Sequence, residues 1–149
     1  MPEYLNGKPP MSFWFISGAA LIWNLFGFLV YLMQVSATPE QLAQAYTPEQ
    51  VEFMQAVPKW ATSAFALAVT TGVLGCLSLL FRKAWAVPLF VISLLAVLVE
   101  DVNSFVLNDV IAVFGTTPVI IQAAVLIIAI ALIFYSRYAK GRRWLRHRA

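Results

Sequence analysis

The sequence predicts an all-α integral membrane protein, one four-helix bundle with both termini on the cytoplasmic side. Three observations carry this prediction. Apolar residues make up 61% of the 149 positions and charged residues 11%, more apolar surface than a soluble domain of this size can hide. Four stretches, at residues 12–35, 59–81, 84–107 and 117–138, are each long enough to cross a hydrocarbon core, which takes ~20 apolar residues at ~1.5 Å of rise. The basic residues all but one fall on the same side if the four helices alternate, which sets the orientation. Continuously apolar runs favour helices over a barrel, whose strands alternate over ~10 residues. A single transmembrane domain therefore covers positions 1–149.

The first span follows Pro9 and Pro10 and carries only Lys8 as a side-chain cation before it. Val35-Ser36-Ala37 resembles a cleavage site, but the apolar run far exceeds the ~7–15 residues of a signal core, so a retained span is expected. Ser17, Ala20, Asn24, Gly27, Tyr31 and Gln34 recur at helical spacing and form one polar, small-residue stripe, the face expected to look into the protein.

The outer connection, residues 38–57, spells TPEQ twice. Thr as N-cap, Pro at the first helical position, Glu in the first turn and Gln at the third make a helix-start signal. Two short helices are expected, the second lying along the outer surface with Val51, Met54 and Val57 toward lipid and Glu49 and Glu52 toward water. Such a segment is either a compact linker or a lid over the bundle mouth.

The second span begins after Pro58 with Trp60 at the interface and carries Ser63, Thr70, Thr71 and Gly75 among small residues. Arg82-Lys83 forms the inner hairpin, and the third span opens at Trp85. Near its outer end stands the acid pair Glu100-Asp101. Ser93, Ala96, Glu100, Asn103 and Ser104 share a face, whereas Asp101 is turned ~100° away, so the two acids are not placed to grip one metal. Two readings stand for Glu100: a polar group inside the bundle, or the mark of a helix ending near Val99. The fourth span presents Gln122, Ala129 and Ser136 on one face. Tyr135 and Tyr138 end it, and the tail, residues 139–149, carries Lys140, Arg142, Arg143, Arg146 and Arg148. Arg142, Arg143, Trp144 and Arg146 are the candidates for contact with anionic inner-leaflet lipid, with Trp144 and Leu145 dipping in; a plain positive-inside anchor accounts for the same charges.

The formal net charge of +3 is thus a topology signal, with no implication of nucleic acid. Cys76 is a lone cysteine within a span and His147 a lone histidine in the tail. That leaves no metal-ligand spacing, no disulfide framework and no nucleophile beside a base, so neither catalysis nor a cofactor is expected.

Counting rise from the outer helix ends places Asn24 and Thr70 ~16 Å deep and Glu100, Gln122 and Tyr31 ~6–11 Å deep. The arrangement that gathers them is a pocket open to the outside. Its candidate solute-binding residues are Glu100, Asn24, Asn103, Gln122, Tyr31, Thr70 and Trp60, with amide and carboxylate groups meeting hydroxyls and aromatic rings stacking. Asn24 alone has an equally simple explanation as interhelical glue.

WNLFGFLVYLMQV, VPKWATSAFALAV and GVLGCLSLLFRKAWAVPLF together resemble a family of short, largely uncharacterised bacterial four-helix inner-membrane proteins often labelled sugar transporter. The resemblance covers most of the first three spans and implies the bacterial inner membrane and a small polar, sugar-like solute; it brings no residue roles. Two functions compete on the sequence. One is a homo-oligomer that binds or moves such a solute. The other is a non-catalytic accessory or assembly subunit of a larger inner-membrane complex.

Overall fold

The computed structural model describes residues 7–146, so His147 and Arg148 of the basic tail lie outside the described residues. Its elements are α1 (Met11–Ser36), α2 (Pro39–Ala45), α3 (Pro48–Gln55), α4 (Lys59–Leu80), α5 (Ala86–Asp101), a π-helical segment (Val102–Leu107), α6 (Val110–Phe114) and α7 (Thr117–Gly141). Four helices are long and apolar enough to cross a membrane: α1, α4, α5 with its π-helical continuation, and α7. The third apolar helix therefore continues past Val99 to Leu107, with both acids inside it. The fourth runs to Gly141, past the expected end, because Ser136 to Lys140 contains no helix breaker.

The chain packs in order: α1 on α4, α4 on α5, α5 on α7. The central helix α4 is buried along Ala61, Ala64, Ala68, Thr71, Gly72, Gly75, Cys76 and Leu79, a small-residue stripe that lets backbones approach. Two positions show how close. A Cβ on Gly75 would lie 2.6 Å from Phe90 Cε1, and one on Gly72 would run into the Asn24 side-chain oxygen.

The end of the bundle that carries Gly7 and Arg146 is closed by two matching helix stops. Beyond α4, Lys83 N–H donates to Ser78 O at 2.7 Å and Arg82 N–H to Leu79 O at 2.9 Å; beyond α7, Trp144 N–H donates to Ala139 O at 2.9 Å and Arg143 N–H to Lys140 O at 3.0 Å. Both are Schellman motifs. Each puts an arginine where glycine is usual, Arg82 at φ 57° and Arg143 at φ 63°. The segments that emerge then pair in parallel at Lys83 and Arg146, through Ala84 N–H to Arg146 O at 2.8 Å and Arg146 N–H to Arg82 O at 2.7 Å. The Arg82 guanidinium ties in the N-terminal segment, donating to Trp144 O and Gly7 O, both at 2.8 Å.

This cap changes the reading of the tail. Trp144 is 8% exposed and Leu145 3%, in one apolar cluster with Phe13, Leu79 and Ala139; Phe13 meets Trp144 edge-on at 5.7 Å and stacks on Tyr135 at 6.3 Å. The expectation that Trp144 and Leu145 dip into lipid is corrected: the Schellman turn after Gly141 folds them back under the bundle. Arg142, Arg143 and Arg146 remain on the surface, with the Arg142 guanidinium 6.0 Å from the Tyr138 ring centre.

At the opposite end both TPEQ segments form the expected capping boxes. Thr38 and Thr47 hydroxyls accept from Gln41 and Gln50 N–H at 3.2 Å, and the Gln side chains accept from the Thr N–H groups at 3.0 and 3.1 Å. α3 leans on α6, with Phe53 and Phe114 edge-on at 5.6 Å and Gln50 Nε2 donating to Val113 O at 3.4 Å. Glu49 and Glu52 are exposed while Val51, Met54 and Val57 are half-buried.

Candidate functional site: a pocket between four helices

Because α1 and α7 share no backbone contact like those of the other neighbouring pairs, the ring of four long helices stays open along one seam. A pocket of about 380 Å³ fills the space behind it. Its floor is Asn24, Phe90 and Leu132; its upper wall carries Gln34, Glu100 and Gln122. By rise along the helices, Asn24 lies ~18 Å from the loop end of α1 and Gln122 ~8 Å from that of α7. The pocket thus runs from the middle of the bundle toward the end that bears α2, α3 and α6.

Asn24 and Ser93 are tied to α4, and Glu100 is tied to its own helix. Asn24 Nδ2 donates to Ala20 O at 2.8 Å, one turn back, and to Cys76 Sγ at 3.3 Å across on α4. Its Oδ1 lodges over Gly72, where only a missing Cβ leaves room. Ser93 faces the same space, but its hydroxyl donates to Ala68 O at 2.7 Å. Glu100 Oε1 accepts from the Ser104 hydroxyl at 2.8 Å. Gln122 Oε1 is buried with no hydrogen-bond partner among the described residues. A buried acceptor without a donor costs ~1–3 kcal/mol.

The π-helical segment starts two residues beyond Glu100. Its widened turn is visible in Asn108 N–H donating to Asn103 O at 3.0 Å, five residues back. π-Segments recur beside functional sites. Here the segment keeps the third span intact to Leu107 while shifting the register beyond the acids.

Of the seven residues expected to line one pocket, Glu100, Asn24 and Gln122 do so. The other four do not. Asn103 is 2% exposed, and its side-chain oxygen and carbonyl accept from Asn108 Nδ2 at 3.0 and 2.9 Å; it staples the π-turn. Tyr31 sits one layer back, edge-on to Phe65 at 5.5 Å, and Phe65 is the ring that reaches the pocket. Thr70 is exposed on the outer side of α4, because the helix presents Thr71, one residue on, to the interior. Trp60 is exposed in the first turn of α4. Asp101 lies off the pocket with one carboxylate oxygen buried and unpartnered.

Sequence reasoning missed the aromatic wall. Trp23, Phe26, Phe65 and Phe90 line the pocket, and no polar pattern announces an aromatic that faces a cavity instead of lipid. Gln34 and Ser93 were legible as members of inward stripes. No family model matches the chain, and neither a curated protein nor a solved structure is similar to it.

Proposed function

We propose that this is a multi-pass inner-membrane protein of bacteria, both termini cytoplasmic, that binds or transports a small solute through the pocket between α1, α4, α5 and α7. The single observation that carries the reading is convergence. Asn24, Glu100 and Gln122 belong to three different helices and are far apart in the chain, yet they line one cavity. Burying polar side chains in a membrane span is costly, and interhelical glue alone leaves no space beside them.

Orientation rests on the basic end holding Arg82, Lys83, Lys140 and the tail arginines, which favours the cytoplasm and directs the pocket outward. The lining supplies hydrogen bonds and ring faces and holds no nucleophile paired with a base, which supports binding over catalysis. The open seam supports a homo-oligomer, since four helices leave the pocket walled on three sides.

The test is a ligand panel of sugars, polyols, alcohols and amines screened by thermal unfolding of the purified protein, repeated on Ala129→Phe. Ala129 lines the pocket, so a ring there fills it. A solute that raises the transition in the wild type and leaves the folded Ala129→Phe variant unmoved supports the proposal. No response to any solute, together with stoichiometric co-purification of other membrane subunits, would favour the accessory role.

A further inference from the structure

Resting on that reading of the pocket, we infer that its ligand is a cationic amphiphile, an amine or ammonium head joined to an apolar tail, that enters from the lipid through the seam between α1 and α7.

The head is specified by what the pocket leaves unbonded. Asn24 has committed its NH₂ to Ala20 O and Cys76 Sγ, and its Oδ1 is lodged over Gly72. Ser93 has committed its hydroxyl proton to Ala68 O. Gln122 Oε1 is buried without a partner among the described residues. Glu100 receives one hydrogen bond from Ser104 at Oε1, and no described group donates to its second oxygen. Glu100 is therefore the lining group with both an acceptor oxygen left over and a carboxylate charge. Among the described residues the lining includes one carboxylate and no lysine or arginine, so a ligand cation would be the partner that balances it.

The tail is specified by the walls and the mouth. Trp23, Phe65 and Phe90 give apolar faces, and an aromatic ring attracts a cation close to it as well. Phe26 and Ile121 line the pocket and are yet 63% and 53% exposed, so they stand at its rim. They come from α1 and α7, the two helices that do not close on each other. In a spanning protein that rim faces acyl chains, which makes a route for a molecule already dissolved in the membrane and leaves room for a tail to extend outward.

The experiment compares octylamine, octanol, octanoate and methyl glucoside by equilibrium dialysis against the protein in lipid nanodiscs, with empty nanodiscs correcting for partition. Octylamine is expected to bind about tenfold or more tightly than octanol, octanoate weakest, as charge-assisted hydrogen bonds to Glu100 dictate. In Glu100→Gln the preference for amine over alcohol should vanish while octanol binding stays. Equal or better binding of octanol or octanoate overturns the inference, as does an amine preference that survives Glu100→Gln. The headgroup order on the unaltered protein decides by itself should the variant not fold. Methyl glucoside binding that Ala129→Phe abolishes would sink the amphiphile and leave the pocket's binding role standing; failure of all four compounds would sink both.

Discussion

Replacing Gly75 with alanine probes the close approach of α4 to α5, and the expected loss can be worked from the geometry. An added Cβ would lie 2.6 Å from Phe90 Cε1 and 2.8 Å from Cδ1, well inside contact distance. Phe90 is 2% exposed and belongs to the apolar cluster with Cys76, Leu79 and Leu132, so the ring can give way only toward the pocket it floors. Overpacking of this kind costs ~1–3 kcal/mol, and two ring atoms under 3 Å argue for the upper end. Alanine's better helix propensity returns up to ~1 kcal/mol, leaving a net loss of ~2 kcal/mol. For a chain of this length that lowers the unfolding midpoint by ~4–8 °C. Gly18→Ala is the control, since a Cβ there meets nothing within 4 Å, and it should be neutral or slightly stabilising. Thermal unfolding of both variants in one detergent reads the difference. Adding Phe90→Leu to Gly75→Ala should recover part of the loss as a favourable coupling. Were Gly75→Ala to unfold at the same temperature as Gly18→Ala, the α4–α5 approach described above would be wrong.

Two further substitutions test the ends of the bundle. Arg82→Gly keeps the left-handed turn but deletes the guanidinium that holds Trp144 O and Gly7 O; with ~1.5–3 kcal/mol for a hydrogen bond from a charged group, the cap should loosen and trypsin should cut the tail several-fold faster, and an unchanged cleavage rate would refute the tie. Asn108→Ala removes the two hydrogen bonds to Asn103, for a loss of ~1–3 kcal/mol; the expected outcome is a lower unfolding midpoint with solute binding retained, and weakened binding at unchanged stability would move Asn103 back into the site.

Much of the fold was written in patterns that water and lipid impose directly. The four spans are runs no soluble packing could absorb. The TPEQ repeats read correctly as helix starts because a cap is a local event, satisfied within four residues by Thr, Pro and Gln. The helix stops were harder. Arg82 and Arg143 sit at left-handed positions that glycine or asparagine would have advertised, and arginine there is tolerated because the surrounding backbone pairing at Lys83 and Arg146 holds it. The tail looked like a surface anchor for the same reason. Its basic composition is local information, whereas the burial of Trp144 and Leu145 depends on where a turn redirects the chain.

The pocket divides along the same line. A helical stripe gives azimuth to within one residue's ~100°, enough to turn Glu100, Asn24 and Gln122 inward and not enough to choose Thr71 over Thr70. Stripes also cannot separate a polar residue that lines a space from one that fills it. Asn103 shares the face of Glu100 and is consumed by Asn108, five residues on, because the helix widens into a π-turn just past the acids; only the spacing of two asparagines hinted at that. What no stripe encodes is the missing fourth wall. α1 and α7 are never neighbours in sequence; at the basic end Phe13 stacks on Tyr135 and meets Trp144 edge-on, whereas the two helices lack the close backbone packing of the other neighbouring pairs. The cavity opens where that packing is missing, and the groups that line it take their meaning from which molecule can reach them through that gap.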